Sequence, residues 1–215
     1  MEKAIVYKRT TFVDELLDTN GVVKNIILIF IGATITALAA KIEIPMQPVP
    51  YTLQTFAVML CGLVLGAKRG ALSQVTYIAA GGAGLPVFAG GASGAHILVG
   101  KTAGYLYGFI LAAWILGYLA EKGWDREVWK ISIAVILANV VLLVPGMFWL
   151  SSFIGLPAAY QYGVIPFLMS AVMKGAAAII LMPSAWRLIN RFSLIVLLSV
   201  KIGALISDYQ LVRKF

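Results

Sequence analysis

Carboxylates are missing from the places where a membrane enzyme or an ion pump needs them: none of the nine Asp and Glu residues falls within the apolar runs of the chain. One histidine and one cysteine complete the shortage. His96 has no Cys, Asp or Glu at ligand spacing, so a metal site is not expected. Cys61 lies inside an apolar run, which excludes a disulfide framework and reads as core filler. With no convergent acid, base or metal group in the spans, catalysis and a bound cofactor are both left without residues to carry them. Charge of any kind is scarce, at 12% of residues against 61% hydrophobic, and the mean hydropathy of +0.93 lies far outside the range of soluble globular domains. The chain therefore reads as an integral membrane protein. Lys and Arg outnumber acids 17 to 9, but they fall between apolar runs and form no stripe, so orientation in the bilayer explains them better than nucleic acid does. Met1 to Asn20 has no apolar core of signal-peptide length.

What is present is a succession of apolar runs: 25–40, 53–65, 70–88, 102–120, 131–150 and about 167–186. Together they predict an all-α membrane protein, a bundle of six transmembrane helices over residues 25–191. The first two runs are shorter than the roughly 20 residues that cross hydrocarbon, so their helices must extend into flanking turns or meet a thinned bilayer. The third run should leave the helix near Ala80, where Gly81, Gly82, Gly84 and Pro86 gather. Residues 1–24 read as a cytoplasmic N-terminal segment and 192–215 as a C-terminal tail. Phe192 to Ser207 is apolar but interrupted by Lys201, and a helix lying on the inner membrane surface suits it better than a seventh span. Lys3, Lys8, Arg9, Lys24, Lys68, Arg69, Lys122, Arg126, Lys130, Arg187 and Arg191 fall on one side of this topology, and only Lys41 and Lys101 on the other. The positive-inside rule then places both termini in the cytoplasm of a multi-pass plasma-membrane protein.

On the outer side, Ile44 to Thr55 (IPMQPVPYTLQT) carries three prolines that forbid helix and stiffen an extended loop. Non-helical backbone at membrane depth survives only where it is buried or lines a cavity, so this loop reads as a lid over a pocket. The Gly-rich segment 85–102 and the segment 151–166 fall on the same side, and the three are expected to converge as extracellular lid loops.

Lys174, in PFLMSAVMKGAAAII, is the basic residue set well inside a span. An ionisable group at a helix centre costs about 2.5 to 3.5 kcal/mol on insertion scales, and no carboxylate is available in the spans as its partner. Either it snorkels to the outer interface or its counter-ion is the ligand, in which case a monocarboxylate suits it. The stretch GAHILVGKTAG imitates a P-loop, but Ala95 stands where its first glycine is needed and no strand precedes it, so nucleotide binding is rejected. Small-residue pairs Ala33/Ala37, Gly62/Gly66, Gly104/Gly108 and Ala113/Gly117 permit close helix packing. With Gly32, Thr36 and Ala40 nearby, Ala33 and Ala37 also offer a surface for another membrane subunit.

The ordered combination of IPMQPVPYTLQT, FAVMLCGLVLGAKRGALSQVTYIAAGGAGLPVFAGG, VGKTAGYLYGF and PFLMSAVMK resembles the BioY family, the biotin-binding membrane subunits (S components) of energy-coupling factor transporters. The similarity runs roughly from Ala33 to Lys174. It implies a six-helix subunit that captures biotin from outside, a transmembrane coupling subunit and cytoplasmic ATPases as partners, and Ala33 and Ala37 as the contact with the coupling subunit. Two departures stand out: residues 100–105 read GKTAGY where the family has GPTGGY, and the family's Asp three residues before the lysine is Ala171 here. Lys174 carries over as the carboxylate contact. Tyr51, Thr52, Gln54, Phe88 and Tyr105 are the candidate lid and wall residues. The expected function is vitamin uptake without enzymatic chemistry. A lipoate-like carboxylate or another vitamin as ligand, or a purely packing role in the membrane, are the competing readings.

Overall fold

The computed structural model describes residues 11–16 and 21–212, with side chains described as far as Arg191. Its helices are α1 Phe12–Leu16, α2 Val22–Ala40, α3 Gln54–Leu65, α4 Ala67–Gly82, α5 Ala103–Glu121, α6 Val128–Ile154, α7 Leu156–Gly163 and α8 Ile165–Val212. Between α2 and α3 a short strand β1, Glu43–Ile44, pairs antiparallel with β2, Tyr51–Thr52. Among the described residues, α2, α5, α6 and the stretch Leu156–Arg191 are long and apolar enough to cross a membrane, while α3 is apolar but shorter.

α5 is the central helix, packing on α3, α4 and α6 with Ala112, Ala113 and Leu116 almost wholly buried. Its approach depends on small residues. A Cβ at Gly104 would stand 2.8 Å from the Pro145 carbonyl oxygen of α6, one at Gly108 would stand 3.0 Å from that of Leu142, and one at Gly62 of α3 would stand 2.6 Å from that of Ala113. In a bilayer, where burial from lipid drives little association, such close backbone contact supplies the dispersion energy that holds helices together. Gly66, with φ +84°, separates α3 from α4 in a conformation that side chains rarely adopt.

The structure departs from the sequence expectations in two places. Residues 151–166 are not a loop: α6 extends to Ile154, α7 follows, and α8 begins at Ile165. Pro157 sits in the first turn of α7, where its missing N–H costs nothing, and Gly155 turns the chain with φ +81°. The helix expected to end near Trp186 runs unbroken as α8 to Val212, so residues 192–212 continue it rather than forming a separate element. No proline lies between Pro183 and that end, so nothing in the sequence forces a stop. Ala33 is 7% exposed and Ala37 is half-buried, and both pack against this chain's own core. Of the expected N-terminal segment 1–24, residues 1–10 and 17–20 lie outside the described structure.

At the end of the bundle where α3 turns into α4, Glu121 of α5 accepts the Ala67 N–H at 2.8 Å, and Arg69 pairs with Asp14 of α1 at 2.8 Å. The hairpin, the Gly-rich segment and α7 gather at the opposite end.

Candidate ligand-binding site

The proline-rich stretch is a hairpin whose register aligns Glu43 with Thr52 and Ile44 with Tyr51. Its tip spans residues 45–50, with a cis Gln47–Pro48 peptide, and Leu53 N–H returns to the Ile42 carbonyl at 3.0 Å. The hairpin delivers Thr52 and Gln54 to the first turn of α3, where Thr52 Oγ1 accepts the Gln54 backbone N–H at 3.2 Å. A short polar side chain just before the helix satisfies a backbone donor that the helix itself leaves open.

Beneath the hairpin lies a cavity of about 320 Å³, near the lower end of the roughly 300 to 1,000 Å³ typical of small-molecule sites. The hairpin contributes Gln47, Val49, Pro50 and Thr52 to its lining, and α3 contributes Gln54 and Thr55. The Gly-rich segment adds Phe88, Ala89, Ala92, Ile97 and Thr102. α5 supplies Tyr105, Leu106 and Phe109, α6 Leu142 and Leu143, and α8 Phe167. Among these lining residues none is charged, so the walls favour an apolar body that carries a few hydrogen-bonding groups.

The charge stands one layer behind. Lys174 Nζ donates to the Thr52 carbonyl at 2.5 Å and to Thr55 Oγ1 at 3.0 Å, and it lies 5.0 Å from the centre of the Tyr51 ring, within cation–π range. Both acceptors belong to residues that line the cavity. An ammonium has three donors, and the two hydrogen bonds here leave one to offer. Tyr51 in turn stacks on Phe167 with ring centres 5.7 Å apart. Thus α8 and the hairpin are joined by one cation and one aromatic pair.

Of the expected site residues, Thr52, Gln54, Phe88 and Tyr105 line the cavity, whereas Tyr51 and Lys174 sit behind the Thr52–Thr55 wall. On the sequence Lys174 has no carboxylate partner in the spans; the structure gives it neutral oxygens and a ring. The segment 151–166 does not line the cavity, but it supports the wall, because Tyr105 donates its hydroxyl to the Gly163 carbonyl at 2.8 Å. Ala171 is half-buried, one turn before Lys174 on α8. Sequence reasoning missed Tyr77, which is 1% exposed and hydrogen-bonded to Gln54 at 2.5 Å. A tyrosine in an apolar run resembles any other core aromatic.

With this arrangement in view, likeness to known proteins becomes specific. A solved structure, the S-component for biotin from an ECF-type ABC transporter, superposes with a TM-score of 0.68 at 23% identity, covering 77% of this chain and 92% of that one. At that identity the match establishes the fold. A probable biotin transporter BioY from Pyrococcus horikoshii is 37% identical over 158 residues, which is 74% of this chain and 93% of the relative. The biotin transporter BioY from Thermotoga maritima is 40% identical over 145 residues, covering 67% and 85% respectively. The BioY family model matches residues 8–191, most of the chain and all of the elements that build the cavity, and the protein belongs to the BioY family.

Proposed function

We propose that this protein is the substrate-binding subunit of a vitamin uptake transporter and that its ligand is biotin, bound from the extracellular side in the cavity beneath the proline hairpin. The observation that carries the reading is the juxtaposition of an uncharged, largely apolar cavity with the Lys174 ammonium, which the Thr52 carbonyl and Thr55 hydroxyl hold at its wall. The apolar chain and ring of the ligand suit Phe88, Phe109 and Phe167, and its carboxylate suits the remaining Lys174 donor. Charge-assisted hydrogen bonds of this kind are the strong ones in a site otherwise made of neutral contacts. With no nucleotide site of its own, the chain would depend on a transmembrane coupling subunit and cytoplasmic ATPases for active uptake. Titrating purified protein with biotin, desthiobiotin, biotinamide and lipoate, followed by tryptophan fluorescence, tests the ligand. Saturable biotin binding is expected, and a clear preference for lipoate would transfer the site to another carboxylate.

In the proposed topology, α2 to α6 and α8 are the six spans, and residues 192–215 leave the bilayer at its inner surface. Both termini are cytoplasmic, and the hairpin and Gly-rich segment act as outer lids. The support is the clustering of basic residues: Arg69, Lys122 and Arg126 lie at the α3–α4 end of the bundle, away from the cavity. In a Cys61→Ser background, cysteine introduced by Met46→Cys should react with an impermeant maleimide on intact cells, and cysteine introduced by Lys68→Cys should not. The reverse labelling would invert the topology and put the cavity on the inside.

A further inference from the structure

One unbroken line of hydrogen bonds starts in the cavity wall and runs behind it. Thr52 Oγ1 donates to Gln54 Oε1 at 2.9 Å, Gln54 Nε2 donates to Tyr77 Oη at 2.5 Å, and Tyr77 Oη donates to the Val87 carbonyl at 3.3 Å. The line starts in the hairpin, passes through the first turn of α3 and the buried middle of α4, and ends in the Gly-rich segment. Its first member also carries the Lys174 contact, through the Thr52 carbonyl. Its last member precedes Phe88, whose ring meets the Tyr77 ring edge-on at 5.5 Å. Phe88 also packs on Gly81, one turn further along α4, where any Cβ would overlap the ring. Tyr77 thus touches Gln54, which Thr52 of the hairpin also holds, and the Gly-rich segment, yet it is absent from the cavity lining.

We propose that Tyr77 is a positioning residue for ligand binding: through its hydroxyl it fixes the Gln54 side chain on one wall, and through its ring and the Val87 carbonyl it fixes Phe88 on the other. The chemistry favours this over a purely space-filling role. Gln54 is 6% exposed, and a primary amide so placed keeps a single orientation only while both of its ends are engaged. Thr52 holds the oxygen and Tyr77 holds the nitrogen. Removing the phenol frees the amide to turn, and with it the Thr52 hydroxyl that shares the cavity wall. At the other end the Val87 carbonyl loses its donor and Phe88 loses its anchor. Tyr77 therefore ties together the shapes of two walls contributed by segments more than thirty residues apart in sequence.

The inference rests on the cavity being the biotin site, and two arms keep the two ideas separable. In the first, biotin affinity is measured for wild type, Tyr77→Phe, Gln54→Leu and the double variant. Tyr77→Phe keeps the ring against Phe88 and should weaken binding about tenfold, mainly through faster dissociation. Because one of the tyrosine's two routes runs through the glutamine, the loss in the double variant should fall well short of the product of the two single losses. A loss under twofold for Tyr77→Phe, or losses that multiply in the double variant, would overturn the proposal. The second arm needs no ligand and no change at Tyr77: amide exchange in the empty Gln54→Leu protein. The amides of Phe88 and Gly91, bonded to the Ala92 and Phe88 carbonyls, should exchange several-fold faster than in wild type. Unchanged exchange there would show that the hairpin and the Gly-rich segment are not joined through Tyr77, whatever the ligand proves to be.

Discussion

At the cavity end of the bundle the cation is held by neutral groups: Lys174 has a carbonyl, a hydroxyl and an aromatic face. At the opposite end charges meet charges or are otherwise enclosed. Arg69 pairs with Asp14 while also donating to the Leu65 carbonyl at 2.8 Å and to Asn25 at 3.2 Å. Asp125 is 1% exposed, accepts a hydrogen bond from Trp186 Nε1 and lies beside Arg126, whose guanidinium sits 4.1 Å from the centre of the Trp186 ring. Phe12 of α1 packs edge-on against the same indole. Neutral partners orient an ammonium without cancelling it, so an incoming carboxylate still gains from the full charge. A cation already matched by a carboxylate has little left to offer a ligand, and its contribution is to fasten α1 and the loop after α5 to the bundle.

If that division holds, mutations at the two ends should separate stability from binding. The largest effect on stability is expected at Arg69. Arg69→Met removes the ion pair with Asp14 and several charge-assisted hydrogen bonds in a site where both side chains are mostly enclosed, costing about 1.5 to 3 kcal/mol. Thermal unfolding should shift down while biotin affinity stays within twofold, and a parallel loss of affinity would break the comparison.

Asp125 sharpens it through pH. Burial pushes this carboxyl from 3.8 up to about 6, against the opposing pull of the Trp186 hydrogen bond and Arg126. The folded state therefore binds the proton more tightly than the unfolded chain does. The contribution of Asp125 to stability is greatest below about pH 4 and falls as pH rises through the interval to about 6, by up to about 3 kcal/mol for a two-unit shift. Asp125→Asn should remove that slope, seen as the difference between the melting temperatures of variant and wild type from pH 4 to 7. An identical slope in both would place the titration elsewhere.

The smallest expected effect lies back at the cavity end, at Ala171. Residues three apart share a helix face, so Ala171→Asp places a carboxylate beside Lys174. The new group can add a polar contact to biotin or compete with its carboxylate. Recovery of the family's arrangement favours preserved or few-fold tighter biotin binding, read as the ratio of biotin to lipoate affinity. Abolished biotin binding in the variant would mark the Ala171 wall as built differently.

The same contrast explains what the sequence made legible. Helices α2 to α6 follow from runs of apolar residues, and the end of α4 from clustered glycines, because both signals are local. The pairing of β1 with β2 involves only two residues each, too few to leave a period. The short α7 stands where a loop is expected, although Gly155 and Pro157 are start signals for a helix, with the proline in its first turn. α8 outran its expected end because the change in polarity near Arg191 marks a boundary of environment and not of backbone geometry. At the site, Thr52, Gln54 and Phe88 were found from the proline loop and its neighbours, whereas Tyr77 was not. Its importance comes from contacts to Gln54 and Val87 that no spacing along α4 reveals.

The central claim is that Lys174 is kept uncancelled so that it can receive a carboxylate, and the most direct test compares an acid with its amide. Biotin and uncharged biotinamide are titrated into wild type and Lys174→Met, a substitution that keeps length and apolar bulk while deleting the charge. Loss of a hydrogen bond to a charged group, about 1.5 to 3 kcal/mol, predicts a drop of roughly ten- to a hundred-fold in biotin affinity. Biotinamide binding should stay within a few-fold of its wild-type value. Equal losses for the acid and the amide would contradict the account and leave Lys174 as a fastener between α8 and the hairpin.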